Sequence, residues 1–205
     1  MSALLLVVLA QFSTEVFEND AKFEAMDTRR GVTLSKRPIK GSPYAEYRGV
    51  AEADATVEDL CVAVFEWGTK FPDGVALHKL LQDGDDERVI YNQLQKPFIA
   101  NRDYALTIKR ERPTPTTCRV RFRVTNDAAP KLPEGFVRMD KLWGEWRFEP
   151  LDEKKSRVTY TLFSDPAGSV PPFLVHGGQQ DATREALVNA LERTRAHIAK
   201  KKVTP

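Results

Sequence analysis

The chain has 205 residues, of which 41% are hydrophobic and 29% charged, and its formal net charge at pH 7 is +2. One domain is expected, because antiparallel α+β folds often reach this length around a single core. The chain lacks the large excess of Lys and Arg of nucleic-acid binders, which argues against a DNA or RNA partner. The only cysteines, Cys61 and Cys118, have no metal-binding spacing and indicate buried apolar residues rather than a disulfide framework.

The sequence begins with an apolar run from Ala3 to Ala10. This run is too short to span a bilayer, and its end resembles a signal-peptide cleavage site, although no Lys or Arg precedes it. Two alternatives stay open. Residues 1–10 are either a short secretion signal, which implies a periplasmic or secreted protein, or a hydrophobic segment that packs on a cytoplasmic domain. We therefore separate an N-terminal segment, residues 1–13, from a domain that covers 14–202.

The first part of the domain predicts a helix, a hairpin and a second helix. Apolar residues among acids and amides from Thr14 to Arg30 indicate a short amphipathic helix. The next two extended runs, separated by turn residues, predict a β-hairpin formed by Val32 to Arg37 and Tyr44 to Glu52. Thr56 and Asp59 then form a capping-box-like start for a mostly apolar helix.

The middle of the chain predicts a run of antiparallel strands divided by turn residues. The predicted strands are Val75 to Leu81, Arg88 to Gln95, Tyr104 to Arg110, Thr117 to Val124, Val137 to Phe148 and Arg157 to Phe163. Alternation is sharpest from Arg119 to Val124, where three arginines point one way and three apolar side chains the other. A basic stripe could contact anionic lipid or nucleic acid, but a solvated outer face is its more frequent meaning.

A long helix is predicted from the Pro171-Pro172 pair to Lys202. Its apolar stripe recurs at helical spacing, and its other face is charged. The stripe comprises Leu187, Leu191, Thr194 and Ile198, and the outer face Arg184, Glu185, Glu192 and Arg193. A long amphipathic helix against an antiparallel sheet predicts a two-layer α+β fold.

Two glycines weaken the start of this helix. Gly177 and Gly178 each cost about 1 kcal/mol of helix stability relative to alanine. Two interpretations stay open: a first turn that opens as a lid, or close packing of the helix backbone on the sheet. The Pro-rich segment Asp127 to Gly135 predicts a long connection that could lie beside the same opening.

Inward-facing apolar and aromatic side chains are the candidates for lining a ligand cavity. The same residues could form a solid core, since filled interiors are the rule. The candidates, with three polar residues added, are Tyr104, Leu106, Ile108, Phe122, Arg138, Trp146, Phe148, Tyr160, Leu162, Phe173, His176, Gln180, Leu187 and Leu191.

Catalytic motifs are sparse. The three histidines, His78, His176 and His197, are dispersed. No nucleophile elbow, metal-ligand motif or phosphate-binding loop surrounds them. An enzyme is therefore disfavoured, and neither a cofactor nor a metal is expected.

Several fragments, in this order and spacing, resemble the START family, the steroidogenic acute regulatory protein-related lipid-transfer domains, in a bacterial form. The fragments are Gly41-Ser42-Pro43 with Tyr47-Arg48-Gly49-Val50, Asn101-Arg102-Asp103-Tyr104, Val137-Arg138 with Gly144-Glu145-Trp146, and Val158-Thr159-Tyr160 with Asp165-Pro166-Ala167-Gly168-Ser169-Val170-Pro171. The resemblance covers about Gly31 to Ala199. It implies a helix-grip fold, in which an antiparallel sheet curls around the C-terminal helix and encloses a tunnel for one sterol, phospholipid or similar molecule.

The resemblance also places the entrance between the last helix and a neighbouring loop, at Phe173 to Gln180 and Asp127 to Gly135. One position departs from the family. Several animal members have an inward-pointing arginine six residues beyond the arginine of the R-D-aromatic motif, and here that position is Ile108. This departure implies a more apolar ligand or a different polar anchor, such as Tyr160 or Arg138.

The combined expectation is a monomer that binds and carries a lipid or similar apolar molecule without catalysis, and touches a membrane surface only transiently. Two alternatives stay open. A polyketide cyclase or aromatase-like enzyme on the same wider fold would use Tyr160, His176 and Arg138 as acid and base groups. An interaction module with a filled core would have no cavity.

Overall fold

The structure is a computed structural model that describes residues 20–67, 75–95, 100–168 and 170–201, with only the backbone for 172–174 and 176. Within these ranges the chain forms two α-helices, α1 (Val57–Trp67) and α2 (Pro172–Lys201), and ten strands. The strands are β1 (Glu24–Arg29), β2 (Val32–Pro38), β3 (Ala45–Ala53), β4 (Leu77–Asp83), β5 (Glu87–Leu94), β6 (Asn101–Thr114), β7 (Thr117–Val124), β8 (Phe136–Arg138), β9 (Lys141–Pro150) and β10 (Ser156–Asp165).

The strands form one curved sheet in the order β1-β2-β3-β10-β9-β7-β6-β5-β4. Every pair along this order is antiparallel, and β8 adds a short parallel pairing to the start of β6. Helix α2 lies on the inner face and contacts β2, β3 and β10, while α1 contacts α2, β6, β7 and β9. The predicted α+β helix-grip architecture is confirmed.

The hairpin and the second helix form as predicted. Strands β2 and β3 pair antiparallel. The Thr56 hydroxyl accepts a hydrogen bond from the Asp59 backbone N–H at 3.1 Å and donates one to the Asp59 carboxylate at 2.9 Å, which is the expected cap. The strand predicted from Val137 to Phe148 is instead two strands, β8 and β9, which pair with different partners.

The helix predicted over residues 14–30 is wrong in its described part, where residues 24–29 form β1. Arg29 pairs with Val32 across a two-residue turn in which Arg30 (φ 54°) and Gly31 (φ 74°) are both left-handed. This is the turn geometry that suits a hairpin, so pairing with β2 overrides the helical spacing. Residues 14–19 lie outside the described residues.

Arg184 was predicted on the outer face of the last helix, and this is also wrong. Its side chain is buried and donates hydrogen bonds to the backbone carbonyls of Arg29 and Val32 and to the Asp27 carboxylate. These hydrogen bonds from the Arg184 guanidinium connect α2 to the β1–β2 turn. The stripe residues behave as predicted, since Leu187 and Thr194 are buried.

The arginine stripe of β7 does lie on the face opposite Val120 and Phe122, but it is less solvated than predicted. Arg121 is only 5% exposed. Arg119 and Arg121 both donate to the Glu111 carboxylate at 2.6 Å. Burial tends to raise the pKa of Glu111, but the hydrogen bonds from these two arginines outweigh it and lower that pKa.

Cys61 and Cys118 are fully buried, as predicted, but they form a disulfide, which was not. The bond joins α1 to β7, with the Cα atoms 6.1 Å apart. Two cysteines 57 residues apart have no sequence signature of pairing, so only the fold brings them together.

The disulfide is expected to stabilise the protein by about 2–4 kcal/mol, because it closes a long loop in the unfolded chain. Urea unfolding of the oxidised wild type and of the Cys61→Ala, Cys118→Ala double variant measures this difference. Adding dithiothreitol to the wild type should reproduce the loss and should leave the double variant unchanged. Equal unfolding midpoints for the oxidised protein and the variant would contradict the prediction.

Gly144 permits a close approach inside the sheet. A Cβ at this position would lie 2.4 Å from the Thr161 carbonyl oxygen and 2.3 Å from the Phe122 ring. Gly178, by contrast, has no described atom within 4 Å of such a Cβ. The described surroundings therefore do not support the close-packing interpretation of the helix glycines, and the lid stays a prediction.

Alanine at these two glycines should change stability in opposite directions. Gly144→Ala should destabilise the protein by about 1–3 kcal/mol through overpacking. Gly178→Ala should stabilise it by up to about 1 kcal/mol through helix propensity. Chemical unfolding of both variants beside the wild type provides the measurement. If Gly144→Ala leaves the free energy of unfolding unchanged, the sheet relaxes at this point and the prediction is wrong.

Candidate ligand-binding cavity

A cavity of about 370 Å³ lies between the inner face of the sheet and the two helices. Its volume falls within the range of small-molecule sites. Most of the wall is aliphatic or aromatic. The described lining residues are Val64, Ile90, Asn92, Leu94, Tyr104, Leu106, Ile108, Val120, Phe122, Leu142, Trp146, Tyr160, Leu162, Ser164, Ala182 and Ala186.

Strand alternation and register bring these side chains together. Because every second residue faces inward, β6 presents alternate residues from Tyr104 to Ile108, and β10 does the same from Tyr160 to Ser164. Leu106 is paired with Ile90 on β5, and Tyr160 with Trp146 on β9. Among the described side chains of helix α2, those that line the cavity are the small Ala182 and Ala186, so space remains between the layers there.

Of the residues predicted to contact a ligand, the structure brings Tyr104, Leu106, Ile108, Phe122, Trp146, Tyr160 and Leu162 around this cavity. Others are placed elsewhere. Phe148 and Leu187 are fully buried in the core beside the cavity, and Leu191 packs against that core. Gln180 is half-buried outside the lining, and the side chains of Phe173 and His176 lie outside the described residues.

Arg138 is held away from the cavity. It forms two hydrogen bonds to the fully buried Asp103 carboxylate, at 2.6 and 3.1 Å, and a third to the Pro130 carbonyl at 2.7 Å. Tyr91 donates to the same carboxylate at 2.9 Å. Alternation along β6 points Asp103 away from the cavity and the next residue, Tyr104, into it. Arg138 therefore fixes the loop before β8 to the sheet.

The neighbouring Arg102 secures the segment that leads into α2. Its guanidinium donates to the carbonyl oxygens of Pro166 and Ala167 at 3.1 and 3.3 Å. The Tyr44 hydroxyl donates to the Val170 carbonyl at 2.9 Å. Arg102 and Asp103 thus connect β6 to two loops: Arg102 to the segment before α2, and Asp103, through Arg138, to the loop before β8.

Sequence reasoning missed several lining residues that strand parity could have found. Ile90 and Asn92 lie on a predicted strand, and Ala182 and Ala186 lie one turn apart on the predicted helix. Nothing in the sequence pattern marked Val64 of α1 as a lining residue, since only the fold brings that helix to the cavity.

A short polar chain reaches the cavity at Asn92. The His78 Nδ1 atom lies 2.7 Å from the Asn92 side-chain oxygen, and the Asn92 amide donates to the Tyr104 hydroxyl at 3.3 Å. Tyr160 stacks on Trp146 with ring centroids 4.0 Å apart. Burial raises the pKa of both Tyr104 and Tyr160, so both remain neutral hydroxyls at physiological pH.

Comparison with known proteins agrees with this geometry. A family model described as the START domain matches residues 24–202. The chain belongs to the START family. Its relatives include an uncharacterised protein of Pseudomonas aeruginosa, 29% identical over 170 residues, which are 80% of this chain and 83% of that protein.

Two solved START structures share the fold. A STAR-related lipid transfer protein fragment from Xanthomonas axonopodis is 26% identical, with a TM-score of 0.74, and the match covers 84% of this chain and 98% of that one. The human StAR-related lipid transfer protein 5 is 18% identical, with a TM-score of 0.69, and the match covers 89% and 91%.

No helix in the described ranges is long and apolar enough to cross a membrane. Residues 20–67, 75–95, 100–168 and 170–201 also contain no group of three or more His, Cys, Asp or Glu side chains that could hold a metal ion.

All five tyrosines of the chain have a pKa raised above 10.0, in each case chiefly by burial. Their neutral forms therefore contribute stability that is fully present below about pH 10, the unfolded pKa, and is lost as pH rises through the folded pKa values. At pH 10, absorbance at 295 nm should show fewer than half of them ionised in the folded protein. The chain in 8 M urea should show about half, and identical titration curves would contradict the assigned burial.

Proposed function

We propose that this protein binds one apolar molecule of the lipid class in the cavity and carries it without chemical change. The observation that supports this most directly is a mostly apolar space of about 370 Å³ between the sheet and the two helices. Each square ångström of apolar ligand surface buried there contributes about 25 cal/mol. Binding therefore needs no covalent step.

The chemistry of the wall favours carriage over catalysis. The polar side chains among the described lining residues are Asn92, Tyr104, Trp146, Tyr160 and Ser164, and none of the lining residues is charged. A general base accepts a proton, so it must be present in its unprotonated form near the working pH. Burial raises the pKa of both Tyr104 and Tyr160, which keeps them protonated. Arg138, a candidate for the enzyme alternative, is committed to Asp103.

The proposal is tested by native mass spectrometry with lipid extraction on protein purified from a bacterial host. The wild type should carry a ligand of lipid class in one-to-one ratio. Ala186→Phe should lose it, because the ring would occupy the cavity that Ala186 lines. Ala199→Phe is the matched control, since Ala199 is exposed on the same helix, and it should retain the ligand.

Circular dichroism should show both variants folded, so that a loss of ligand reports on the cavity. A wild type that is empty and also rejects sterols, fatty acids and phospholipids would overturn the proposal and favour the enzyme alternative. Equal ligand loads in the wild type and Ala186→Phe would place binding outside this cavity.

A further inference from the structure

The polar groups at the inner wall of the cavity specify part of the ligand. We propose that the hydroxyls of Tyr104 and Tyr160, the donor pair, each offer a hydrogen bond to an uncharged acceptor oxygen, a carbonyl or a hydroxyl, on the bound molecule. This inference rests on the proposed function and names the ligand chemistry that the same cavity prefers.

Tyr104 has one hydrogen-bond donor left over. The Asn92 side-chain oxygen is bonded to the His78 ring, so the Asn92 amide nitrogen faces Tyr104 and donates to its hydroxyl oxygen at 3.3 Å. The Tyr104 side chain is 8% exposed and lines the cavity. Its own O–H has no acceptor among the described residues. A ligand acceptor at this position would therefore complete the hydrogen bonding of the Tyr104 hydroxyl, and one such net bond contributes about 0.5–1.5 kcal/mol.

Tyr160 presents a second donor to the same cavity, from β10, which β9 and β7 separate from β6 in the sheet. It is 7% exposed, and its ring is fixed by Trp146 at 4.0 Å and by Phe122 at 6.3 Å between centroids. Its hydroxyl makes no hydrogen bond to any described residue. Rigid rings that hold two donors make a preorganised site.

The wall around this pair disfavours a charged group. The described lining contains no Lys, Arg or His to neutralise an anion and no acid to neutralise a cation. Burial of an unpaired charge costs several kcal/mol. A ketone, an ester carbonyl or an alcohol can accept a hydrogen bond from either hydroxyl without that cost, whereas a phosphate or carboxylate cannot.

Three compounds built on the fluorene ring system separate the effect of an acceptor oxygen from the effect of a charge. Fluorene and 9-fluorenone differ only by CH₂ in place of C=O, and fluorene-9-carboxylate adds a charge. Each is used to displace the neutral dye 1-N-phenylnaphthylamine from the wild type, Tyr104→Phe, Tyr160→Phe and the control Tyr47→Phe. Tyr47 is buried on the neighbouring strand β3 and does not belong to the described lining.

Each cavity variant should weaken fluorenone binding by about threefold to tenfold, the value of one net hydrogen bond. Fluorene binding should stay unchanged in these variants, and Tyr47→Phe should alter neither compound. The carboxylate should bind the wild type more weakly than fluorenone does. Thermal unfolding of each variant checks that the phenylalanine substitutions leave the fold intact.

Each remaining outcome counts against one of the two proposals. If fluorenone affinity is the same in the wild type and both cavity variants, or if the dye binds but neither neutral compound displaces it, the donor pair is overturned while the cavity stands. If the carboxylate binds more tightly than fluorenone, the preference for uncharged oxygen is wrong. If neither the dye nor a co-purified lipid binds the wild type, the proposed function itself fails.

Discussion

The interior space depends on where helix α2 touches the sheet. At Gly49 of β3 a Cβ would lie 2.4 Å from Leu187 Cδ1, so the helix approaches the sheet as closely as a missing side chain allows. The residue just before Leu187, Ala186, faces the cavity, and so does Ala182 one turn earlier on the helix. Close contact at one point and small residues beside it leave a gap that neither layer fills.

The rest of the sheet keeps charge out of that gap. Alternation along β6 and β7 sends Asp103 and Arg121 to the outer face, while Tyr104 and Phe122 face the cavity. Asp103 is fully buried, and its carboxylate forms an ion pair with the Arg138 guanidinium at 2.6 Å. A buried ion pair is tolerable only with such satisfied geometry. Hydrogen bonds of the polar residues thus fix the loops, and apolar surface with a few hydroxyls remains to line the cavity.

Sequence reasoning recovered the features that local pattern controls. Period-two alternation and the Thr56 cap predicted the strands of the middle region and the start of α1. The failures arose where distant contacts decide: β1 forms because a turn at Arg30 and Gly31 pairs it with β2, and Arg184 is buried because backbone carbonyls across the fold accept its hydrogens. The family resemblance supplied the fold, but strand parity alone could not show whether the inner face was filled or hollow.

The disulfide links two walls of the cavity. Cys61 lies one turn before Val64 on α1, and Cys118 lies two residues before Val120 on β7; both valines line the space. Disulfides persist in oxidising compartments and are reduced in the cytosol. The cellular redox environment would therefore decide whether α1 is a covalently fixed wall or one held by packing alone, and with it how easily the width of the cavity can change.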